Sequence, residues 1–407
     1  MEKVVLAYSG GLDTSVCIHW LRNKKGMQVY TFSADLGQLE SAEELARRAF
    51  DVGAHSVFIK DLRARLAEEF ILPAIYANAA VRDGRCLSVA LSRPLITEEL
   101  IMVAQEENAR YLAHGGSAKS NDQIRFQLTV AALAPEMDIL APMREPELAS
   151  SGAVAAYAGR HGLAIPTEGR SIYGEDENIW GRVVSGTALE RLAAPAAEDL
   201  FRLTVSPKDA PDEPEDVRIT FDGGRPVALD GEEEDLVAVI ERIGERAARH
   251  GVGRFESLQT KIIGIKTRMV SEAPAATAVT IAHRALEGAV LPHNLLQVKH
   301  LLEDSYADIV YNGLWFSRVR RSLDAFFAET QHPVTGTVTL RFFKGVCRPV
   351  SVESEFSLYD RLLATHGPDD AFDAEAAAGF VDVFVLEHRL EALQHRRLRE
   401  RREPPAP

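Results

Sequence analysis

The stretch Ala7-Tyr8-Ser9-Gly10-Gly11-Leu12-Asp13-Thr14-Ser15 has the residue types needed to hold an anion. Two adjacent glycines let the backbone turn tightly and aim several N–H groups into one concavity. That concavity would sit at the positive end of the helix predicted to follow. Ser9, Thr14 and Ser15 add hydroxyl donors, and a pyrophosphate group is the ligand that suits the set. No Gly-Lys-Ser/Thr follows the glycines, so this is not a Walker A loop. A Gly-rich turn between strand and helix can also be purely structural. The specific feature is the complete Ser-Gly-Gly-x-Asp-Thr-Ser string directly after an N-terminal strand.

A second donor-rich stretch is His114-Gly115-Gly116-Ser117-Ala118-Lys119-Ser120-Asn121-Asp122-Gln123-Ile124-Arg125-Phe126. As structure alone, its Ser, Asn and Asp residues would cap the next helix. As a binding loop, Ser117 and Lys119 would hold a carboxylate, Asp122 an amine and Arg125 a further carboxylate. A substrate carrying both an amine and carboxylates fits that set.

These loops need a frame. Short apolar runs at 4–8, 29–32, 56–59, 111–113 and 138–140 alternate with helical stretches, which predicts βαβ units on a buried, largely parallel sheet. Ligands of such sheets bind beyond the carboxyl ends of the strands, where both loops lie. After about residue 166 the pattern changes. A hairpin is predicted at 217–221 and 226–229 around Asp222-Gly223-Gly224-Arg225. Helices are predicted at 235–250, 275–287 and 306–327, and strands at 336–343 and 347–352. The expected architecture is α/β: a parallel-sheet nucleotide-binding domain at 1–166, an α+β domain at 167–365, and a C-terminal helix and tail at 366–407. Leu386, Leu390 and Leu393 would form an apolar stripe packing on another subunit, ahead of a basic, Pro-rich end.

The net charge of −14 disfavours a polyanionic partner, so nucleic acid is not expected. Cys17, Cys86 and Cys347 form no metal-type or disulfide-type spacing, and no protein-held metal is expected. The N-terminus lacks a signal-peptide pattern and no apolar run is long enough for a membrane span, so a cytoplasmic protein is expected.

The Ser9–Ser15 string resembles the pyrophosphate loop of the ATP-pyrophosphatase superfamily, whose nucleotide-binding domains are of the HUP type. Its members split ATP to AMP and pyrophosphate while adenylating a substrate oxygen. The 114–126 loop resembles the pattern H-G-x-T-G-K-G-N-D-Q-x-R-F of argininosuccinate synthases. Colinear matches include Asp176-Glu177-Asn178-Ile179-Trp180-Gly181-Arg182, Gly251-Val252-Gly253-Arg254, Tyr311-Asn312-Gly313-Leu314-Trp315-Phe316-Ser317 and Ser357-Leu358-Tyr359-Asp360. Read alone, the aromatic run 311–316 is core packing. The resemblance implies a carbon–nitrogen ligase, tetrameric, using ATP and magnesium to join aspartate to citrulline. It places Ala7, Tyr8, Ser9, Gly10, Gly11, Leu12, Asp13, Thr14, Ser15, Ala34 and Gly115 at ATP. It places Ser117, Asn121 and Asp122 at aspartate, and Asn121 and Arg125 at the acceptor.

The acceptor end departs from the family pattern. The family's Tyr-x-x-Gly-Thr-(Ser/Ala)-Leu-Ala-Arg-Pro reads Cys86-Leu87-Ser88-Val89-Ala90-Leu91-Ser92-Arg93-Pro94, without the Tyr. Two serines are replaced by Gly174 and Val183, a Glu by Gln259 and a Tyr by Ser271. Losing the Glu removes the anion that would balance a substrate ammonium. The expectation is therefore a paralogue that joins aspartate to another ureido or carbamoyl oxygen. An authentic argininosuccinate synthase and a catalytically retired ATP-binding protein are the alternatives.

Overall fold

The computed structural model describes residues 1–38, 41–79, 81, 82, 84–163, 174–186 and 189–402, with Arg82 and Arg402 described by backbone alone. The boundary expected at 166/167 and the Pro-rich end lie outside the described residues.

The N-terminal sheet takes its strands from apolar runs short enough to be buried on both faces. Its elements are β1 (Lys3–Ala7), α1 (Leu12–Asn23), β2 (Gln28–Asp35), α2 (Ala42–Asp51), β3 (Ser56–Asp61), α3 (Ser88–Glu106), β4 (Tyr111–His114), α4 (Asp122–Leu133), β5 (Asp138–Leu140) and α5 (Ser151–Arg160). All pairings are parallel, in the order β3-β2-β1-β4-β5. In β1 the two-residue period sends Val4 and Leu6 into the core with Val16, Ile18 and Tyr157, and Val5 into the core with Leu91 and Leu95. Strand order reverses between β2 and β4 on either side of β1, which opens a crevice beyond the carboxyl ends of β1 and β4.

The second part carries two antiparallel sheets. Its elements are β6 (Gly174–Asn178), β7 (Gly181–Ser185), β8 (Glu215–Asp222), β9 (Arg225–Leu229), β10 (Glu232–Glu233), α6 (Leu236–Arg249), β11 (Arg254–Thr260), β12 (Lys266–Glu272), α7 (Pro274–Val290), α8 (His293–Tyr311), α9 (Arg318–Thr330), β13 (Gly336–Phe343) and β14 (Val346–Glu353). One sheet runs β10-β9-β8-β13-β14 and packs on α6 and α7 through Val217, Ile219, Phe221, Ile240, Ile243 and Val279. The other runs β11-β12-β7-β6.

The hairpin at 217–229 forms as expected, with Gly223 and Gly224 both at positive φ in its turn. The single helix expected at 306–327 does not form. Gly313, at φ +78°, stops α8, and the Ser317 hydroxyl accepts from the Arg320 N–H to start α9.

Residues 357–407 form a separate compact unit. It contains α10 (Ala374–Phe384), capped by Asp373, and α11 (Leu386–Arg402). Phe380, Phe384, Leu386, Leu390 and Leu393 are all exposed.

Candidate active site

Beyond β1 the chain makes the turn its glycines allow. Gly10 sits at φ +72° and Gly11 is the N-cap of α1, so the helix starts at Leu12. The loop is tied down from three sides. The Tyr8 N–H donates to the Phe32 carbonyl (2.8 Å), Ser33 Oγ donates to the Tyr8 carbonyl (2.7 Å), and Ser9 Oγ and Thr14 Oγ1 lie 3.2 Å apart. Tyr8 Oη and Ser15 Oγ are also 3.2 Å apart. The first N–H groups of α1 have no intrahelical acceptor, so the turn presents donors and the positive helix end together. Asp13 is the acidic side chain here, and burial pushes its carboxyl up.

Gly115, at the end of β4, approaches this helix start. A Cβ on it would lie 2.6 Å from Thr14 Cγ2, so glycine is what lets the second loop close on the first. Ala34, near the end of β2, lies beside them in the sheet and accepts from Gln38 Nε2. His114 anchors the second loop. Its Nδ1 accepts from the Gly116 N–H at 3.0 Å, which puts the ring proton on Nε2. The ring stacks on Phe126, and burial together with the Arg144 charge pushes its pKa down to about 4.

Asp122 and Arg125 of this loop form a closed set with Arg93. Asp122 Oδ2 accepts from Arg93 Nε (2.9 Å) and Oδ1 from Arg125 Nη1 (3.1 Å). Burial works to raise the Asp122 carboxyl, but the Arg93 and Arg125 charges outweigh it and hold it below the usual carboxylate value. Arg125 also donates to the Tyr311 carbonyl through Nε (3.2 Å) and Nη2 (2.9 Å). Three of its five N–H donors are thereby committed, leaving two for a ligand carboxylate. Asn121 donates from Nδ2 to Tyr311 Oη (3.0 Å), and its Oδ1 accepts from the Ile262 N–H (2.9 Å). Ser117 and Lys119 stand exposed on the same loop.

The predicted acceptor positions share one face of the four-stranded sheet. Ser271 pairs with Val183 and with Phe255, Val183 with Asp176, Gly174 with Ser185, and Gln259 with Thr267. Paired residues of antiparallel strands present their side chains on the same side, so Gly174, Val183, Gln259 and Ser271 are brought together by register. This face turns toward the nucleotide-binding part. Asp176 meets Arg93, and Gly84 lies against Ser257 and Phe255. A cavity of about 330 Å³ opens beside Arg85, Leu258, Gln259 and Thr260. Ser271 is fully buried, and its hydroxyl has no hydrogen-bond partner among the described residues. Gln259 donates to Ser257 Oγ at 3.0 Å. Ser185 Oγ lies 3.4 Å from where a Cβ of Gly174 would be, so a hydroxyl remains near that position.

Sequence reasoning gave no role to three residues that build this site: Arg93, Asp176 and Tyr311. Tyr311 stood in a run read as packing, and its ring is buried; its Oη and carbonyl nonetheless hold Asn121 and Arg125. The available signal was an Arg directly before a helix-internal Pro, at Arg93-Pro94, with two acidic motifs elsewhere that could meet it.

A parallel sheet ending in an anion-binding turn, faced by an antiparallel sheet with a polar inner side, defines an α/β nucleotide-binding fold joined to a synthetase-type domain. Residues 3–164 match the arginosuccinate synthase N-terminal HUP domain, and residues 173–391 match the arginosuccinate synthase C-terminal domain. The chain belongs to the argininosuccinate synthase family, whose members are carbon–nitrogen ligases. It is 45% identical over 392 residues to the argininosuccinate synthase of Symbiobacterium thermophilum, covering 96% of this chain and 98% of that one. The Chlorobium limicola argininosuccinate synthase is 44% identical, with 95% and 96% covered. That of Rubrobacter xylanophilus is 42% identical, with 95% and 94% covered. Among the described residues no helix is long and apolar enough to cross a membrane.

Proposed function

We propose that this chain condenses aspartate with citrulline at the expense of ATP, as the names of its relatives suggest. The observation that carries this reading is the meeting of the two loops, with Gly115 closed onto Thr14, which joins the anion cradle to the loop that carries Asn121 and Asp122. The ureido oxygen attacks the α-phosphorus of ATP, forming an O–P bond as pyrophosphate departs. The aspartate nitrogen, having lost its ammonium proton, then bonds to the ureido carbon. The C–O bond to AMP breaks, and the nitrogen gives up a second proton. Residues 7–15, Ala34 and Gly115 hold the nucleotide; Ser117, Asn121 and Asp122 hold aspartate; Asn121 and Arg125 face the acceptor.

Positioning and charge neutralisation do most of the work, because the adenylate supplies its own leaving group. Asp122, kept anionic by its two guanidinium partners, attracts the aspartate ammonium but is a poor base for its proton. No group of three His, Cys, Asp or Glu gathers to hold a metal among the described residues. Magnesium would thus arrive with the phosphates, with Asp13 as the protein carboxylate nearest their cradle, and would neutralise phosphate charge. In this reading residues 1–166 bind the nucleotide, 167–365 complete the synthetase site, and 366–407 join subunits of a cytoplasmic homotetramer.

A second reading is favoured by the neutral acceptor face. With Gln259 and Ser271 in place, the acceptor would be a citrulline analogue lacking the α-ammonium. The test is pyrophosphate release from ATP, magnesium and aspartate, with citrulline or 5-ureidopentanoate added. Release dependent on citrulline is the expected result. Release with 5-ureidopentanoate alone selects the second reading. Release with neither, while ATP still binds, overturns both in favour of a retired binding protein.

A further inference from the structure

Arg93, on the second turn of α3, reaches two carboxylates on different elements, one helix and one strand. Its Nε donates to Asp122 Oδ2 at 2.9 Å, at the start of α4, and its Nη2 donates to Asp176 Oδ1 on β6. The guanidinium is mostly buried, with its side chain 13% exposed. Burial alone would weaken its charge; Asp122 and Asp176 together outweigh burial and hold it firmly cationic. With Arg125 on the other oxygen of Asp122, the four side chains form a neutral set of two cations and two anions.

What the bridge connects is more informative than its strength. Asp176 pairs with Val183, and Val183 with Ser271, so one end is fixed to the face that carries the acceptor positions. The other end is the carboxylate that would receive the aspartate ammonium. A planar guanidinium with two donor edges fixes both distance and plane between its partners, which a lysine point charge does not.

We infer that Arg93 is a positioning residue for the second half of the reaction: it sets where the aspartate nitrogen stands relative to the acceptor carbon. This rests on the ligase reading above. Among the described residues the hydrogen bonds of Arg93 go to Asp122, Ser92 and Asp176, none of them in the Ser9–Ser15 loop. Adenylation of the acceptor therefore draws on Arg93 only through the acceptor face, whereas attack by the amine needs both ends of the bridge in register. Misplacing a reacting group by about 1 Å costs on the order of 100-fold in rate.

The two halves can be read separately in the full-length protein. Scrambling of the α–β bridging oxygen of ATP, with acceptor present and aspartate absent, reports adenylation even when pyrophosphate stays bound. Aspartate-dependent AMP formation reports the complete reaction. Citrulline and 5-ureidopentanoate serve as acceptor probes, and thermal melting checks folding. Arg93→Lys is expected to lower kcat for aspartate-dependent AMP formation by about 100-fold while scrambling stays within about threefold of wild type. Asp176→Asn, which cuts only the bridge end on the acceptor face, should follow with about a tenfold loss confined to the same half. Equal loss of both halves would make the bridge a purely structural tie, and no loss in either would remove it from the reaction; each overturns the inference while the ligase reading stands. Wild-type protein that scrambles ATP with neither probe overturns the ligase reading, and the inference with it.

Discussion

Around Asp122 the charges of Arg93, Arg125 and Asp176 are paired inside the protein, whereas on the facing sheet Ser271 keeps a buried hydroxyl with no partner among the described residues. Both regions are polar and both belong to the site. They differ in when their hydrogen bonds are made. The ion pairs among Arg93, Arg125, Asp122 and Asp176 are made before any substrate arrives, with two Arg125 donors kept for a ligand, so their geometry is preorganised and most of their desolvation is already offset. Ser271 and its neighbours on the sheet leave valences for the ligand to fill, so this region selects the acceptor and contributes little to holding the empty protein together.

The largest effect should come from breaking the closed set. Asp122→Asn removes one anion and leaves Arg93 and Arg125 facing each other across a buried amide. Removing one partner of a buried ion pair costs about 3–5 kcal/mol, because the remaining charge is uncompensated. Urea unfolding of Asp122→Asn should show a loss of this size near neutral pH, alongside loss of aspartate-dependent turnover. A variant as stable as wild type would mean that solvent, not Asp122, balances the two guanidinium groups.

A smaller effect, set by pH, should come from His114, which belongs to the closed side yet keeps a buried Nε2 without a partner among the described residues. Its folded pKa of about 4 lies below its ordinary value of 6.5. Between those two values the unfolded chain holds a proton that the folded chain refuses, so stability falls as pH drops from about 6.5 to about 4 and is flat on either side. At about 1.4 kcal/mol per pH unit, His114 should account for about 2 kcal/mol of the loss between pH 7 and pH 5. His114→Gln, which does not titrate, should remove that part of the slope in urea midpoints measured across the range. An unchanged slope would show that the imidazole accepts its proton without cost.

The same contrast explains what was legible in the sequence. The β1, β2 and β4 strands could be read because burial on both faces demands unbroken apolar runs, and the glycines of the first loop because only they permit its turn. The hairpin of β11 and β12 could not, because its polarity is inverted. Leu258, Ile263 and Ile265 are exposed, while Arg268 and Glu272 are buried. Each buried charge is satisfied in large part by partners distant in sequence: Arg268 by the carbonyls of Arg191 and Ala194 beside its ion pair with Glu256, Glu272 by Arg182 and the N–H groups of Arg202, Leu203 and Thr204. Helix α3 was hidden for a related reason, since it is buried on most sides and interrupted by Pro94, which blurs its period. Register alone gathers Gly174, Val183, Gln259 and Ser271, and no local pattern encodes register between strands some 90 residues apart. The Arg93 bridge was illegible for the same cause.

The smallest expected effect is the most discriminating for the open side. Ser271 is fully buried on β12, opposite Val183 and Phe255, and its hydroxyl has no partner among the described residues. A buried hydroxyl left unbonded costs about 1–3 kcal/mol relative to one that is satisfied. Replacing the hydroxyl with hydrogen, as Ser271→Ala does, removes that penalty and opens a cavity of a single oxygen atom. Ser271→Ala should therefore unfold at the same urea midpoint as wild type or slightly above it, within about 1 kcal/mol. If the hydroxyl is instead completed by the acceptor, the same variant should raise the KM for the acceptor by about 5- to 10-fold, the equivalent of about 1 to 1.4 kcal/mol, with the KM for ATP unchanged. Stability and binding then move in opposite directions, a combination that a purely structural serine does not produce. A clear loss of stability in Ser271→Ala would place a partner on the hydroxyl in the empty protein and end the distinction between the two sides.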